Sequence, residues 1–255
     1  MKTKLLLGAA VLALSLTTGA ACAAPSAAVV AAVADKARPE ADTKRDADRK
    51  PAEMLEFAGV KPGQTVVDFL PGGGYFTRIF SKAVGPKGTV YAVYPPPSAP
   101  ADPAKPAPTP AAETIAADPA YGNVKTVKVT FAKFAIPSQA DVIWTSQNYH
   151  DLYLTRFNLD VPAVTKQIYD AVKPGGVFIV LDHRAADGAP VVETANTLHR
   201  IDPASVRKTV EAAGFKYEGE SKVLANPADD HTKGVFDPAL RGHTDQFIYK
   251  FRKPK

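Results

Sequence analysis

The chain is poor in sulfur. Among 255 residues there is one cysteine, Cys22, with two methionines and a single tryptophan, Trp144. A lone cysteine excludes an internal disulfide framework and a thiolate-rich metal site. Long apolar runs are missing too. The run from Leu5 to about Leu16 falls short of the roughly 20 apolar residues a spanning helix needs. Charge of one sign is not concentrated: 31 Lys and Arg face 26 Asp and Glu, a formal net charge of +5. Part of that excess sits on Lys2 and Lys4, and more on Lys250, Arg252, Lys253 and Lys255. No basic stripe is interleaved with aromatics, so no nucleic-acid partner is expected. Several motifs are absent as well. Thr77 stands where G-x-G-x-x-G needs its third glycine, and no Gly-Lys-Ser/Thr follows, which disfavours NAD and ATP. Neither H-x-x-x-H nor H-E-x-x-H occurs, and no metal site is assigned.

The N-terminus is informative. Lys2 and Lys4 precede the apolar run, and Ala21-Cys22-Ala23 offers a small-residue cleavage site. This pattern predicts a signal peptide over 1–23 and an exported, periplasmic protein with no integral membrane segment after cleavage. A lipoprotein anchored through Cys22 is the lesser alternative, because Gly19-Ala20-Ala21 lacks the expected leucine. Residues 24–48 are rich in alanine and then in charge, and read as a peripheral helical or flexible segment. Residues 49–255 read as one domain. An insert at 95–110 carries eight prolines, which excludes a packed helix or central strand there and predicts an exposed polyproline-like surface segment.

Within the domain, strands alternate with helices. Strands are expected at Thr65–Leu70, Thr89–Val93, Val124–Phe131, Asp141–Thr145 and Val177–Leu181, with a closing pair at Phe215–Val223 and Gln246–Phe251. Helices are expected over Pro51–Phe57 and Tyr75–Ala83, and after the caps Asp160 and Asp202. The pattern predicts an α/β fold: a doubly wound, mostly parallel sheet with helices on both faces and an antiparallel C-terminal edge.

The most informative stretch is Val66-Val67-Asp68-Phe69-Leu70-Pro71-Gly72-Gly73-Gly74-Tyr75-Phe76-Thr77. A buried strand ends in an acid, a glycine turn follows, and a helix begins. In open α/β sheets, ligands sit beyond the carboxyl ends of the strands, and glycine lets backbone approach them. The other strand ends supply Tyr94, then Ser146 to Asp151, then Asp182-His183-Arg184. His150 with Asp151 and His183 with Asp182 are candidate acid–base pairs. As metal ligands they would need His199 and Asp202, and sequence neighbours do not normally share a face. The polar loop 224–245 is read equally as a lid or a solvated excursion.

Taken together, residues 51–253 resemble the class I, Rossmann-like S-adenosylmethionine-dependent methyltransferases. The Val67–Tyr75 stretch is similar to that family's first motif, and Asp141–Asn148 to the motif on its fourth strand. Val172-Lys173-Pro174-Gly175-Gly176 and Ala212-Ala213-Gly214-Phe215 match further family signatures. Gln147-Asn148-Tyr149-His150-Asp151 with Leu198-His199-Arg200-Ile201-Asp202 resembles an uncharacterised group of exported, predicted methyltransferases. The resemblance implies S-adenosylmethionine as cofactor, a small-molecule acceptor, and cofactor contacts from Asp68, Gly72, Gly73, Gly74, Tyr75, Tyr94, Gln147 and Asn148. It leaves His150, Asp151 and His183 as the catalytic group. Leu70 departs from the motif's first glycine, and Tyr94 replaces the acid that usually binds the ribose. The alternatives are a non-catalytic periplasmic binding or scaffold protein on this fold, and a His/Asp metal-assisted hydrolase.

Overall fold

The computed structural model describes residues 24–96 and 107–255. The expected signal peptide, Cys22 and the middle of the proline-rich insert lie outside them. The described chain opens with four helices: α1 (Ala27–Val33), α2 (Glu40–Thr43), α3 (Asp46–Arg49) and α4 (Pro51–Ala58). Then come β1 (Thr65–Phe69), α5 (Tyr75–Val84), β2 (Thr89–Tyr94), α6 (Ala111–Ala117), β3 (Val124–Lys128) and β4 (Ala140–Ser146). The C-terminal part contains α7 (Val161–Ala171), β5 (Val172–His183), α8 (Val191–Leu198), α9 (Pro203–Ala212), β6 (Lys216–Ser221) and β7 (Gln246–Arg252).

The seven strands form one sheet in the order β3-β2-β1-β4-β5-β7-β6. The pairs from β3 through β5 are parallel, and β7 runs antiparallel to both β5 and β6. The antiparallel edge expected from the closing pair is therefore this end of the sheet, with β7 reversed and β6 outermost.

Successive strand residues point to opposite faces, so the strands feed two separate cores. Val66, Val90, Val142, Trp144, Ile179 and Ile248 pack on one face with α1, α4, α5 and α6. Val67, Val93, Ile143, Phe178, Val180 and Phe251 pack on the other with α7 and α9. Local chemistry sets the helix starts. The Asp160 side chain accepts from the Ala163 amide, and the Asp202 side chain from those of Ala204 and Ser205, each filling an orphan donor of the first turn. Among the described residues, no helix is long and apolar enough to cross a membrane.

Two expectations are corrected. The 24–48 stretch is not peripheral: Val29 and Ala32 belong to the first core, and the Arg38 side chain is fully buried. Arg38 donates to Asp46 Oδ2 and Oδ1 at 2.8 and 2.7 Å and to the Val33 carbonyl at 2.5 Å. Strand β3 stops at Lys128 rather than Phe131, because the chain doubles back through a Thr130–Lys133 bridge. That turn carries Phe131 against Phe157, ring centroids 4.5 Å apart.

Candidate functional site

Strand order reverses between β1 and β4, and such a switch point opens a crevice at the strand ends. A cleft of about 560 Å³ lies there. Its floor is the β1–α5 loop. Leu70 holds φ +61°, the left-handed conformation a glycine would favour, and its amide donates to the Val93 carbonyl at 2.8 Å. Asn148 donates through Nδ2 to the Leu70 carbonyl at 2.8 Å and accepts from the Thr145 hydroxyl. The β4 end thus braces the loop. Gly72 and Gly73 face open space where a Cβ would stand, and both line the cleft. Gly74 does not line it. At φ +79°, a Cβ there would meet Ile115 Cδ1 at 2.1 Å, so its missing side chain serves packing against α6 rather than approach to a ligand.

Asp68 is buried at the end of β1 and accepts from the Thr77 hydroxyl at 2.6 Å. Burial pushes its carboxyl up to about 6, against the opposing effects of Thr77 and Arg49. Beside it the N-terminal arm enters the cleft. The Arg49 guanidinium lies 4.5 Å over Tyr75 and 4.9 Å over Phe76 and donates to Ser146 Oγ at 3.1 Å. Burial, with Arg45 next to it, lowers its pKa to about 10. The Tyr75 hydroxyl is occupied, donating to Asp46 Oδ1 at 2.5 Å. The lining also includes the apolar side chains of Leu70, Phe131, Phe157 and Pro95. Pro95 and Pro110, described parts of the proline-rich insert, both border the cleft.

Tyr94 lines the cleft, but its hydroxyl donates to Glu113 Oε1 at 2.8 Å, and burial pushes it up to about 12. Glu113, on α6, also pairs with Lys128 at 2.8 Å. An acid absent from the β2 sequence is thus brought to its end from the helix beyond the insert.

A second group gathers at the ends of β4 and β5. A 3-10 turn over His150–Tyr153 follows the β4 loop. The buried Asp182 carboxylate accepts from the His150 amide and faces His150 Nδ1, each at 2.8 Å. Burial lowers the His150 pKa, but Asp182 outweighs it and leaves the imidazole above its ordinary value. His150 Nε2 stands 3.5 Å from Asp151 Oδ1, and His199 Nδ1 stands 3.8 Å from the same oxygen. The tight turn makes these sequence neighbours share a face, contrary to expectation. Asp151 also lines the cleft. His183 is not part of this group. Its ring centre is 6.0 Å from that of His150, Nδ1 meets Thr244 Oγ1 at 2.6 Å, and burial lowers its pKa to about 4. Asp202 is spent as the cap of α9.

His183 instead borders a second cavity of about 470 Å³, shared with Arg45, Arg49, Arg241 and Gln147. Gln147 lines both spaces, and its amide donates to Gln246 Oε1 at 2.9 Å. Part of loop 224–245 forms the cavity's rim through Val235, Phe236 and Arg241. That loop is anchored by a fully buried pair, Arg200 with Asp229, at 2.9 Å.

Sequence reasoning missed Arg45, Arg49 and Glu113. The first two lie in a charged run that reads as solvated, and Glu113 lies beyond a proline tract. His199 was legible as a possible metal ligand and in the Leu198–Asp202 motif, but its meeting with Asp151 was not.

No protein-family model matches the chain, and no curated protein matches it in sequence. Solved structures do match in fold. A SAM-dependent methyltransferase from Aquifex aeolicus aligns with TM-score 0.53 and 19% identity, covering 80% of this chain and 88% of that one. A putative sarcosine dimethylglycine methyltransferase from Galdieria sulphuraria gives 0.56 and 15%, covering 84% and 88%. The [4+2]-cyclase SpnF gives 0.55 and 15%, covering 89% and 91%. The fold is that of S-adenosylmethionine-dependent methyltransferases.

Proposed function

We infer that the cleft binds S-adenosylmethionine and that the protein transfers its methyl group to a small-molecule acceptor. The observation that carries this reading is the buried Asp68 and the open Gly72-Gly73 turn, set at the point where strand order reverses. The residues present fit that cofactor. Asp68 offers a carboxylate to an ammonium group, and Arg45 and Arg49 offer cations to a carboxylate. The apolar lining at Leu70, Phe131 and Pro95 suits a purine. When bound, the cofactor supplies a methyl group on a sulfonium sulfur.

The protein's own part is largely alignment, which by itself is worth many orders of magnitude in rate. Gln147, with Arg45 and Arg49, borders both the cofactor cleft and the space lined by His183 and Arg241. The acceptor would enter from that side. Where it must lose a proton, the group of His150, Asp151, Asp182 and His199 stands beside the cleft to see to it. The reading puts this activity outside the cytoplasm, in the periplasm, and is supported by the signal-like pattern of residues 1–23 and by the resemblance to an exported group.

Calorimetric titration of the protein with S-adenosylmethionine and S-adenosylhomocysteine tests the reading. Gly73→Asp is the matched control, because a Cβ at Gly73 meets nothing within 4 Å and its carboxylate would enter the cleft. Micromolar binding in the wild type, lost in the control, is expected. No heat from the wild type with either compound sinks the proposal and leaves a binding or scaffold role on this fold.

A further inference from the structure

We propose that His150, Asp151 and His199 form a binding site for a divalent first-row transition ion at the edge of the cleft. The inference begins with contacts that are wrong for hydrogen bonds. Asp151 Oδ1 stands 3.5 Å from His150 Nε2 and 3.8 Å from His199 Nδ1, at or beyond the outer limit for an N–H···O bond. Ligands about 2.0–2.1 Å from a tetrahedral zinc ion are about 3.3 Å apart. The three candidate atoms all lie within 4.8 Å of one another, so a small contraction closes them on an ion.

The surroundings support ligation. His150 Nδ1 is engaged by the buried Asp182 carboxylate at 2.8 Å, which directs Nε2 toward Asp151. A carboxylate behind a ligating imidazole orients the ring and raises its basicity. His199 sits at the C-cap of α8 with φ +54°, a conformation non-glycine residues adopt only where the structure holds them. What holds it is next along the chain. Arg200 donates to the carbonyls of Arg184 and Lys233 at 2.9 and 2.8 Å and pairs with Asp229. Ile201 exchanges backbone hydrogen bonds with the β5 end, its amide donating to the His183 carbonyl and its carbonyl accepting from Ala185. The charges facing the group are Asp151, Asp182 and Arg156. The two carboxylates match a divalent ion with neutral imidazoles.

Two imidazoles and one carboxylate suit zinc, iron(II) or cobalt(II) rather than magnesium or calcium. Three protein ligands leave an open position, and Asp151 borders the cleft. For its purpose, though not for its existence, the site rests on the methyltransferase reading. With the ion bound, its ligands no longer act as the base described above, and an acceptor hydroxyl on the open position releases its proton to water more readily. Its oxygen lone pair then forms the O–CH3 bond while the S–CH3 bond breaks to a neutral thioether.

The test is titration of chelator-treated full-length protein with zinc and with cobalt(II), by calorimetry and by visible d–d absorption, alongside S-adenosylhomocysteine binding. One ion per chain is expected, with the d–d bands of a four- or five-coordinate site. His199→Asn and Asp151→Asn, each checked for wild-type circular dichroism, should weaken binding at least a hundredfold. Asp182→Asn should weaken it about 10–100-fold. His243→Ala, at an exposed position in loop 224–245, should bind as wild type does. Substoichiometric binding, or wild-type affinity in the folded Asp151→Asn variant, overturns the proposal. Cofactor binding without metal binding overturns it while leaving the methyltransferase reading intact. Metal binding without cofactor binding does the reverse.

Discussion

At Leu70 a side chain with a Cβ holds a backbone angle that the related motif gives to glycine, φ +61°. The left-handed region costs an L-residue about 1–2 kcal/mol. Leu70 keeps it because its amide is fixed on Val93 and its carbonyl on Asn148. Leu70→Gly removes the strain but also apolar contact and chain stiffness, so its unfolding free energy should stay within about 1 kcal/mol of wild type. Leu70→Val places a β-branched residue at the same angle and should lose about 1–2 kcal/mol more. Urea unfolding of both variants measures the difference. Asp68 carries the pH dependence. Its folded pKa of about 6 lies above the ordinary carboxylate value, so ionising it costs the free fold stability. That cost sets in as pH rises above about 4 and is complete above about 6. A bound ammonium needs the ionised form. Affinity for S-adenosylhomocysteine should therefore rise between about pH 5 and about pH 7.5, by at most tenfold per unit below about 6. Asp68→Asn should flatten that profile, lose affinity, and raise the melting temperature of the free protein at neutral pH.

At the scale of elements, the N-terminal arm and the sheet are one structure. Arg38, buried on Asp46, positions the stretch that carries Arg45 and Arg49 to the cleft, and Asp46 also holds the Tyr75 hydroxyl at the start of α5. Removing one partner of a buried pair costs about 3–5 kcal/mol. Arg38→Ala should fall at the lower end, since Asp46 remains about a quarter exposed. Limited proteolysis should then cut first within residues 24–48, and cofactor affinity should fall although Arg38 does not line the cleft.

The elements also differ in how far the sequence revealed them. The β1 run, the glycine turn and the caps at Asp160 and Asp202 were legible because neighbours along the chain determine them. Helix α6 was not, because its alanine-rich sequence carries only Ile115 as a large apolar residue and follows a proline tract. Helix α8 was not, because only Thr194 and Ala195 are buried along it. The site divides in the same way. Asp68, Gly72, Gly73, Gln147 and Asn148 meet at the cleft as their places at strand ends predict. The meeting of His199 with Asp151, and of Glu113 with Tyr94, depends on helices packing across the sheet, which no local pattern encodes.

For the whole molecule, the two cores sit on opposite faces of one continuous sheet, so stability should fall from the centre outward. Strands β1, β4 and β5 each have a neighbour on both sides, whereas β3 and β6 are edges with much less burial. Native-state hydrogen exchange should show the slowest amides at Val66–Phe69, Val142–Thr145 and Phe178–Leu181. Exchange in β3 and β6 should proceed through smaller openings. Uniform protection across all seven strands would contradict this ordering.

The place of β7 has a consequence for the order in which the fold can be completed. It is the last strand along the chain, yet it lies between β5 and β6. Strand β6 thus has no partner until β7 arrives, and the apolar edge of β5, Val177–Leu181, stays open until then. A chain emerging N-terminus first, from a ribosome or through a membrane pore, cannot close its sheet prematurely. From the emergence of β5 until that of β7 it exposes a sticky strand edge. Its demand for a chaperone should therefore be greatest just before the final segment is released.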